Sequence, residues 1–143
     1  ILEKEARLTT EEIRVIKSHT FHTYRILEHI SALDIINAWG SFHHERIDGA
    51  GYPFHHEGRD LSLGSRIMAV ADVFTAITED RPYRKGMSKD KATAVLRQMA
   101  DDMALDSSIV SLLFHNFDEI NSFRETAQKA SVKEYHRFLQ QAS

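Results

Sequence analysis

Only two prolines, Pro53 and Pro82, interrupt 143 residues. Proline removes a backbone donor and clashes with the preceding helical turn, so long stretches of this chain are free to run as helix, and their apolar residues recur at helical spacing. Thr9 and Glu12 stand as a capping box. The face Ile13, Ile16, Thr20, Tyr24, Leu27 and Ile30 predicts a first helix ending near Ser31. Asp34 predicts the cap of a second helix that carries Ile35, Ala38, Trp39 and Phe42 and delivers His43 and His44 at its end. Residues 46 to 62 read as a long loop containing Gly49, Gly51 and Gly58. A third helix should start at Ser62 or Leu63, carry Ile67, Val70, Phe74 and Ile77 on one face, and stop near Asp80, because a residue before proline avoids helical geometry. Ser88 should cap a fourth helix containing Ala92, Val95, Leu96 and Met99. A break near Asp101-Asp102 precedes a short helix around Ile109 to Phe117. A last helix follows, with Ile120, Phe123, Ala127, Tyr135, Phe138 and Leu139 on one face. No segment alternates with strand-type turn chemistry, so the expected fold is all-α, a bundle of about five to six helices.

The length suffices for one sizeable core. No apolar run approaches the ~20 residues that cross a bilayer, and no basic start leads into an apolar signal core. Cysteine is absent, which excludes disulfides and thiolate metal sites, so any metal must be held by nitrogen and oxygen. A formal charge of −3 argues against non-specific DNA binding. The start at Ile1 rather than Met predicts a fragment or a processed product.

Chemistry concentrates between His43 and Pro53, in HHERIDGAGYP. Two histidines and Glu45 run into an Asp-Gly-x-Gly-Tyr-Pro loop whose glycines let the backbone approach a ligand closely. Adjacent helical residues point about 100° apart, so His43 and His44 can serve one metal only at a helix end, or two metals between them. Alone, the pair reads better as a solvated cap favoured by the helix dipole; with Glu45, Asp48 and the loop attached, a metal site is the better reading. Asp72, 28 positions after His44, sits inside the apolar run RIMAVADVFTAI. Burial among such neighbours would demand a partner, either a metal or Arg66 or Arg46. His19 could be a hydrogen-bonded core residue or a ligand. His22, His29, His115 and His136 read as surface residues; His55 and His56 could border the site mouth. Tyr52 could stack on a base, hydrogen-bond a phosphate, or fill the core. In DRPYRKGMSKDK, Arg81 and Arg84 suit phosphate oxygens, whereas Lys85, Lys89 and Lys91 fit a solvated turn.

The long motif HHERIDGAGYP and the following RIMAVADVFTAITEDRPYRKGMS closely resemble the HD-GYP subgroup of the HD metal-dependent phosphohydrolase superfamily. The resemblance runs from about Ile1 to Met99, making residues 1–99 the core and 100–143 a helical extension of the same domain. It implies an all-helical hydrolase of cyclic di-GMP, with two or three divalent ions, iron or manganese, that generate a hydroxide at neutral pH. His19, His43, His44 and Asp72 would be metal ligands, the last three also carrying the catalysis. Asp48, Gly51, Tyr52 and Pro53 would face the substrate, and Arg81 and Arg84 would hold its phosphates. The resemblance further implies a bacterial cytoplasmic protein, governed by sensory or receiver domains and able to pair through its C-terminal helices. The family's defining His-Asp pair, with its lysine, would lie roughly a dozen residues before Ile1, and no His-Asp dipeptide occurs in the chain. Truncation, supply from another chain and natural degeneracy each account for this; truncation is the expectation. The rival to the enzyme is a non-catalytic module that binds a nucleotide or a protein partner.

Overall fold

The structure, a computed structural model, describes residues 7–80 and 84–141. Among them are six α-helices: α1 Thr10–Leu27, α2 Asp34–Phe42, α3 Leu63–Thr78, α4 Lys89–Asp101, α5 Ser107–His115 and α6 Phe117–Gln141. Two single 3₁₀ turns, Ser31–Leu33 and Gly58–Asp60, complete the regular structure, and no β-strand occurs among the described residues. The all-α expectation holds.

Local chemistry sets the helix starts. Thr9 accepts the Glu12 N–H at 3.2 Å while Glu12 accepts the Thr9 N–H at 2.7 Å, the reciprocal capping box. Ser62 accepts the Ser65 N–H at 3.1 Å and starts α3. α1 stops at Leu27, four residues short of the predicted end. There the chain tightens: Ile30 N–H donates to Leu27 and Leu33 N–H to Ile30, and bonds to the third residue back replace the α-helical pattern.

The chain forms two compact units, residues up to Val110 and residues from Ser111. In the first, α1 packs on α2, α2 on α3, and α3 on α4. Val70 and Phe74 of α3 and Ala92 and Leu96 of α4 are buried, with Leu105 and Val110; each large side chain among them contributes about 1.5–3 kcal/mol by leaving water. The α1–α2 interior is polar instead. Thr20, Asn37 and Ser41 are buried, Ser41 donates to Asn37 at 2.7 Å, and Asn37 reaches the Tyr24 carbonyl. The apolar residues carried by α2 do not form its inner face. Ile35 is 68% exposed and Trp39 is also exposed, because the short polar pair satisfies itself against α1 and takes the buried position. Trp39 is nonetheless in contact: a Cβ on Gly64 would fall 2.0 Å from its Nε1. Ile67, which spacing places on the face of Val70 and Phe74, is exposed, while Ser65 and Ala69 are buried.

In the second unit Leu113 and Phe117 are buried, but Phe123, Tyr135, Phe138 and Leu139 are exposed. Much of the apolar face expected on α6 is therefore solvent-exposed. No helix among the described residues is long and apolar enough to cross a membrane.

Candidate metal centre

His43 is the residue that ends α2, and His44 follows it; His19 comes from α1, beside the buried Thr20. His19 Nδ1 lies 2.6 Å from the Ile16 carbonyl, and His43 Nδ1 lies 2.7 Å from the Gly40 carbonyl. A carbonyl oxygen can only accept, so each Nδ1 carries the hydrogen, and the neutral form of each ring leaves a bare lone pair at Nε2. Those two Nε2 atoms stand 3.4 Å apart. In that form neither donates to the other, and both lone pairs suit one cation between them. The His44 ring completes the group, with its centroid 4.1 Å from His43 and 5.2 Å from His19. One donor atom from each of the three histidines lies within 4.8 Å of the others, the one such cluster among the described residues. Burial, then the field of His43, pushes the His44 pKa down to about 4 against the pull of Asp72, so its ring is neutral at neutral pH and its lone pair is available. This donor set, oriented by backbone carbonyls, fits a divalent metal with nitrogen ligands.

Asp72 reaches this group from α3: its Oδ2 lies 3.9 Å from His44 Nδ1. It is not buried, as its place in an apolar run had suggested; its side chain is 45% exposed. Val70 and Phe74 occupy the core face, and Asp72, two residues from each, is turned about 200° from both. The arginine partners weighed for it are engaged elsewhere. Arg66 pairs with Asp106 at 2.5 Å, and Arg46 grips Asp48 at 2.9 and 2.6 Å.

The loop folds back over the histidine pair. Asp48 accepts both Arg46 bonds and the Ala50 N–H at 3.0 Å; the Arg46 guanidinium first, and that N–H next, pull its carboxyl down to about 2. Gly49 takes a φ of +77°, the left-handed region that glycine tolerates. Gly51 serves differently: a Cβ there would lie 2.4 Å from Glu45 Cα and from the Arg46 nitrogen, so only a bare backbone passes. Tyr52 N–H then donates to the His44 carbonyl at 3.2 Å, and its ring lies 4.9 Å from the His44 ring. Burial, with the charge of Asp72, raises the Tyr52 hydroxyl to about 12. Pro53 follows, half-buried. Glu45, grouped by sequence with the ligating residues, is buried beneath the loop and accepts the Phe54 N–H at 2.7 Å.

Lys17 escaped the sequence reading. Its Nζ lies over the Tyr52 ring, 4.9 Å from the centroid, and places a positive charge at the site. Two positions before His19, with a four-carbon stem, it could have been suspected. Arg84 donates to the Ala76 carbonyl, near the end of α3. Arg81 lies outside the described residues. Lys85 pairs with Asp80 at 2.9 Å and is exposed. His56 packs on Phe42 and Phe54, at 4.9 and 5.7 Å, an aromatic contact that its surroundings in sequence did not reveal, whereas His55 is exposed.

Residues 1–109 match the family described as HD domain. A Vibrio cholerae protein named 3'3'-cGAMP-specific phosphodiesterase 1 is 35% identical over 116 residues, 81% of this chain and 27% of that protein. A cyclic di-GMP phosphodiesterase of Pseudomonas aeruginosa is 41% identical over 104 residues, 71% of this chain and 24% of that protein. One of Thermotoga maritima, also named a cyclic di-GMP phosphodiesterase, is 37% identical over 94 residues, 64% and 26% of the two chains. The chain thus spans about a quarter of the length of these curated relatives. By the match across residues 1–109, and with the Gly51-Tyr52-Pro53 loop of the HD-GYP subgroup, the chain belongs to the HD-domain family.

Proposed function

We propose that the protein carrying this chain hydrolyses a phosphodiester bond of a cyclic dinucleotide, cyclic di-GMP in the first instance, with divalent ions held by His19, His43, His44 and Asp72. The observation that carries this reading is the facing pair of bare Nε2 atoms on His19 and His43, 3.4 Å apart. Two or three ions, iron or manganese, suit a set made only of nitrogen and oxygen donors. Such ions supply a strong nucleophile at neutral pH and neutralise charge on the phosphodiester.

The chain's own residues do the rest. The Ile16 and Gly40 carbonyls hold the imidazoles in their ligating tautomer. Tyr52 and Pro53 wall the side of the site next to His44. Lys17 meets a phosphate there by leaving the face of Tyr52, and Arg81 and Arg84 take further phosphate oxygens. Asp48 shapes the loop through Arg46 and Ala50. In the cytoplasm of a bacterium, a sensory or receiver domain governs turnover, and copies pair through α6.

Hydrolysis of cyclic di-GMP and of 3'3'-cGAMP by the full protein loaded with manganese or iron tests the reading. Linear product that requires metal and disappears in His43→Ala supports it. Tight nucleotide binding without turnover replaces it with the non-catalytic module. Sedimentation of Phe123→Ser/Phe138→Ser checks the pairing: a species the size of the unaltered protein's would remove α6 from the account.

A further inference from the structure

Glu45 is the one acidic or basic side chain buried among the described residues, at 3% exposure. It directly follows the histidine pair, yet it is not part of the donor cluster, which comprises His19, His43 and His44. Its Oε1 instead accepts the Phe54 N–H at 2.7 Å, nine residues along the chain. Its Oε2 is buried and accepts no hydrogen bond from any described group. A carboxylate in that state is a poor choice for packing alone, since an apolar side chain of similar volume would avoid the desolvation.

The bond closes a ring of chain. The backbone leaves α2 at His43, runs out through Arg46 to Ala50, and returns as Gly51 presses on the Glu45–Arg46 backbone. Tyr52 N–H then meets the His44 carbonyl. Beyond it, the Phe54 ring is set among Tyr24, Phe42 and His56, at 4.8, 5.8 and 5.7 Å. Phe54 therefore has an apolar anchor in its ring and a polar anchor in its N–H, and Glu45 supplies the second. Tyr52, between these anchors and the His44 carbonyl, has little room to shift along the His44 ring.

We propose that Glu45 is a positioning residue: its Oε1–Phe54 clamp holds Tyr52 against His44 and so sets the substrate-facing wall of the site, without Glu45 ligating metal. The kinetic consequence rests on the hydrolase reading above; the clamp itself does not.

The test compares Glu45→Gln, which keeps the acceptor, with Glu45→Met, which keeps the volume and loses it. Hydrogen exchange of the peptide covering residues 46–56 is followed by mass spectrometry, alongside metal content and steady-state kinetics on cyclic di-GMP. Faster exchange is expected in Glu45→Met and near-normal protection in Glu45→Gln, with metal content unchanged in both. KM should rise roughly tenfold in Glu45→Met, the lower end for loss of a supporting partner around a metal site, with kcat changed less, and Glu45→Gln should recover most of it. Unaltered exchange in Glu45→Met overturns the clamp, as does a Glu45→Gln protein as deprotected as Glu45→Met. Loss of metal with loop protection intact overturns the positioning role in favour of ligation. If the unaltered protein binds metal but turns over no dinucleotide, the hydrolase reading fails while the exchange comparison still decides the clamp.

Discussion

His19 and His43 face each other through Nε2 atoms 3.4 Å apart, and each ring is tied at its Nδ1 to a carbonyl of its own helix. Two acceptors so placed repel unless a cation joins them. The unaltered protein should hold divalent metal through dialysis, measured by inductively coupled plasma spectrometry. His19→Ala and His43→Ala should each weaken it by at least the roughly 10–100-fold that losing a mere supporting partner costs. Retention of full metal by His19→Ala would remove α1 from the site.

Lys17 over Tyr52 makes a second, independent prediction. Lys17→Ala should raise KM for the dinucleotide roughly two- to five-fold, the scale of an exposed charge contact, with kcat little changed. The effect should shrink as salt rises, since exposed charges are screened. A kcat loss with constant KM would instead mean that Lys17 acts on the reacting groups.

Gly51 tolerates no Cβ, which would stand 2.4 Å from the Glu45–Arg46 backbone. Gly51→Ala must push the loop off that backbone and should cost about 1–3 kcal/mol, the range for overpacking. Thermal unfolding reads the loss. A variant as stable as the parent would show the approach to be looser than 2.4 Å implies.

Arg66 and Asp106 join α3 to the start of α5 at 2.5 Å, and Asp106 also accepts the Ser108 and Ile109 N–H groups. Asp106→Ala strands a largely buried guanidinium and uncaps α5. The expected cost is about 2–3 kcal/mol, less than for a fully buried pair because Arg66 keeps some solvent contact. Asp106→Asn, which keeps an acceptor, should lose less; equal losses would assign the effect to charge alone.

Asp48 provides the pH prediction. Its folded pKa is depressed to about 2 from an ordinary 3.8, first by the Arg46 hydrogen bond. Between those values the unfolded chain binds more protons than the folded one. Its contribution to stability is therefore complete from about pH 5 upward, declines as pH falls through the window between 3.8 and about 2, and is gone well below it. The stability difference between the parent and Asp48→Asn should narrow between about pH 5 and about pH 2.5. A carboxyl titration midpoint near 4 by NMR would contradict the Arg46 clamp.

Much of the helical plan was legible because it rests on local chemistry. The Thr9–Glu12 box, the Ser62 cap and the spacing of Val70 and Phe74 act over a few residues and appear in the structure as expected. The faces of α2 and α6 were not legible. Ile35 and Trp39 look like an inner stripe by periodicity, but Asn37 and Ser41 satisfy each other and the Tyr24 carbonyl, a pairing visible only once α1 lies alongside. Phe123 and Phe138 mark one apolar face by their spacing, but spacing does not name what covers that face.

For the site, the chemical inventory was readable in the residues alone: paired histidines at a helix end, a loop that needs Gly49 and Gly51, and no thiol ligand. Helix packing set which of these meet. It brought His19 across 24 positions to His43, left Asp72 exposed beside His44 rather than buried, gave Arg66 and Arg46 to other carboxylates, and turned Glu45 under the loop toward Phe54. The reason is range. Caps, turns and periodicity are set by neighbours in the chain, whereas ligand convergence depends on how α1, α2 and α3 pack, a balance of contacts between residues far apart in sequence.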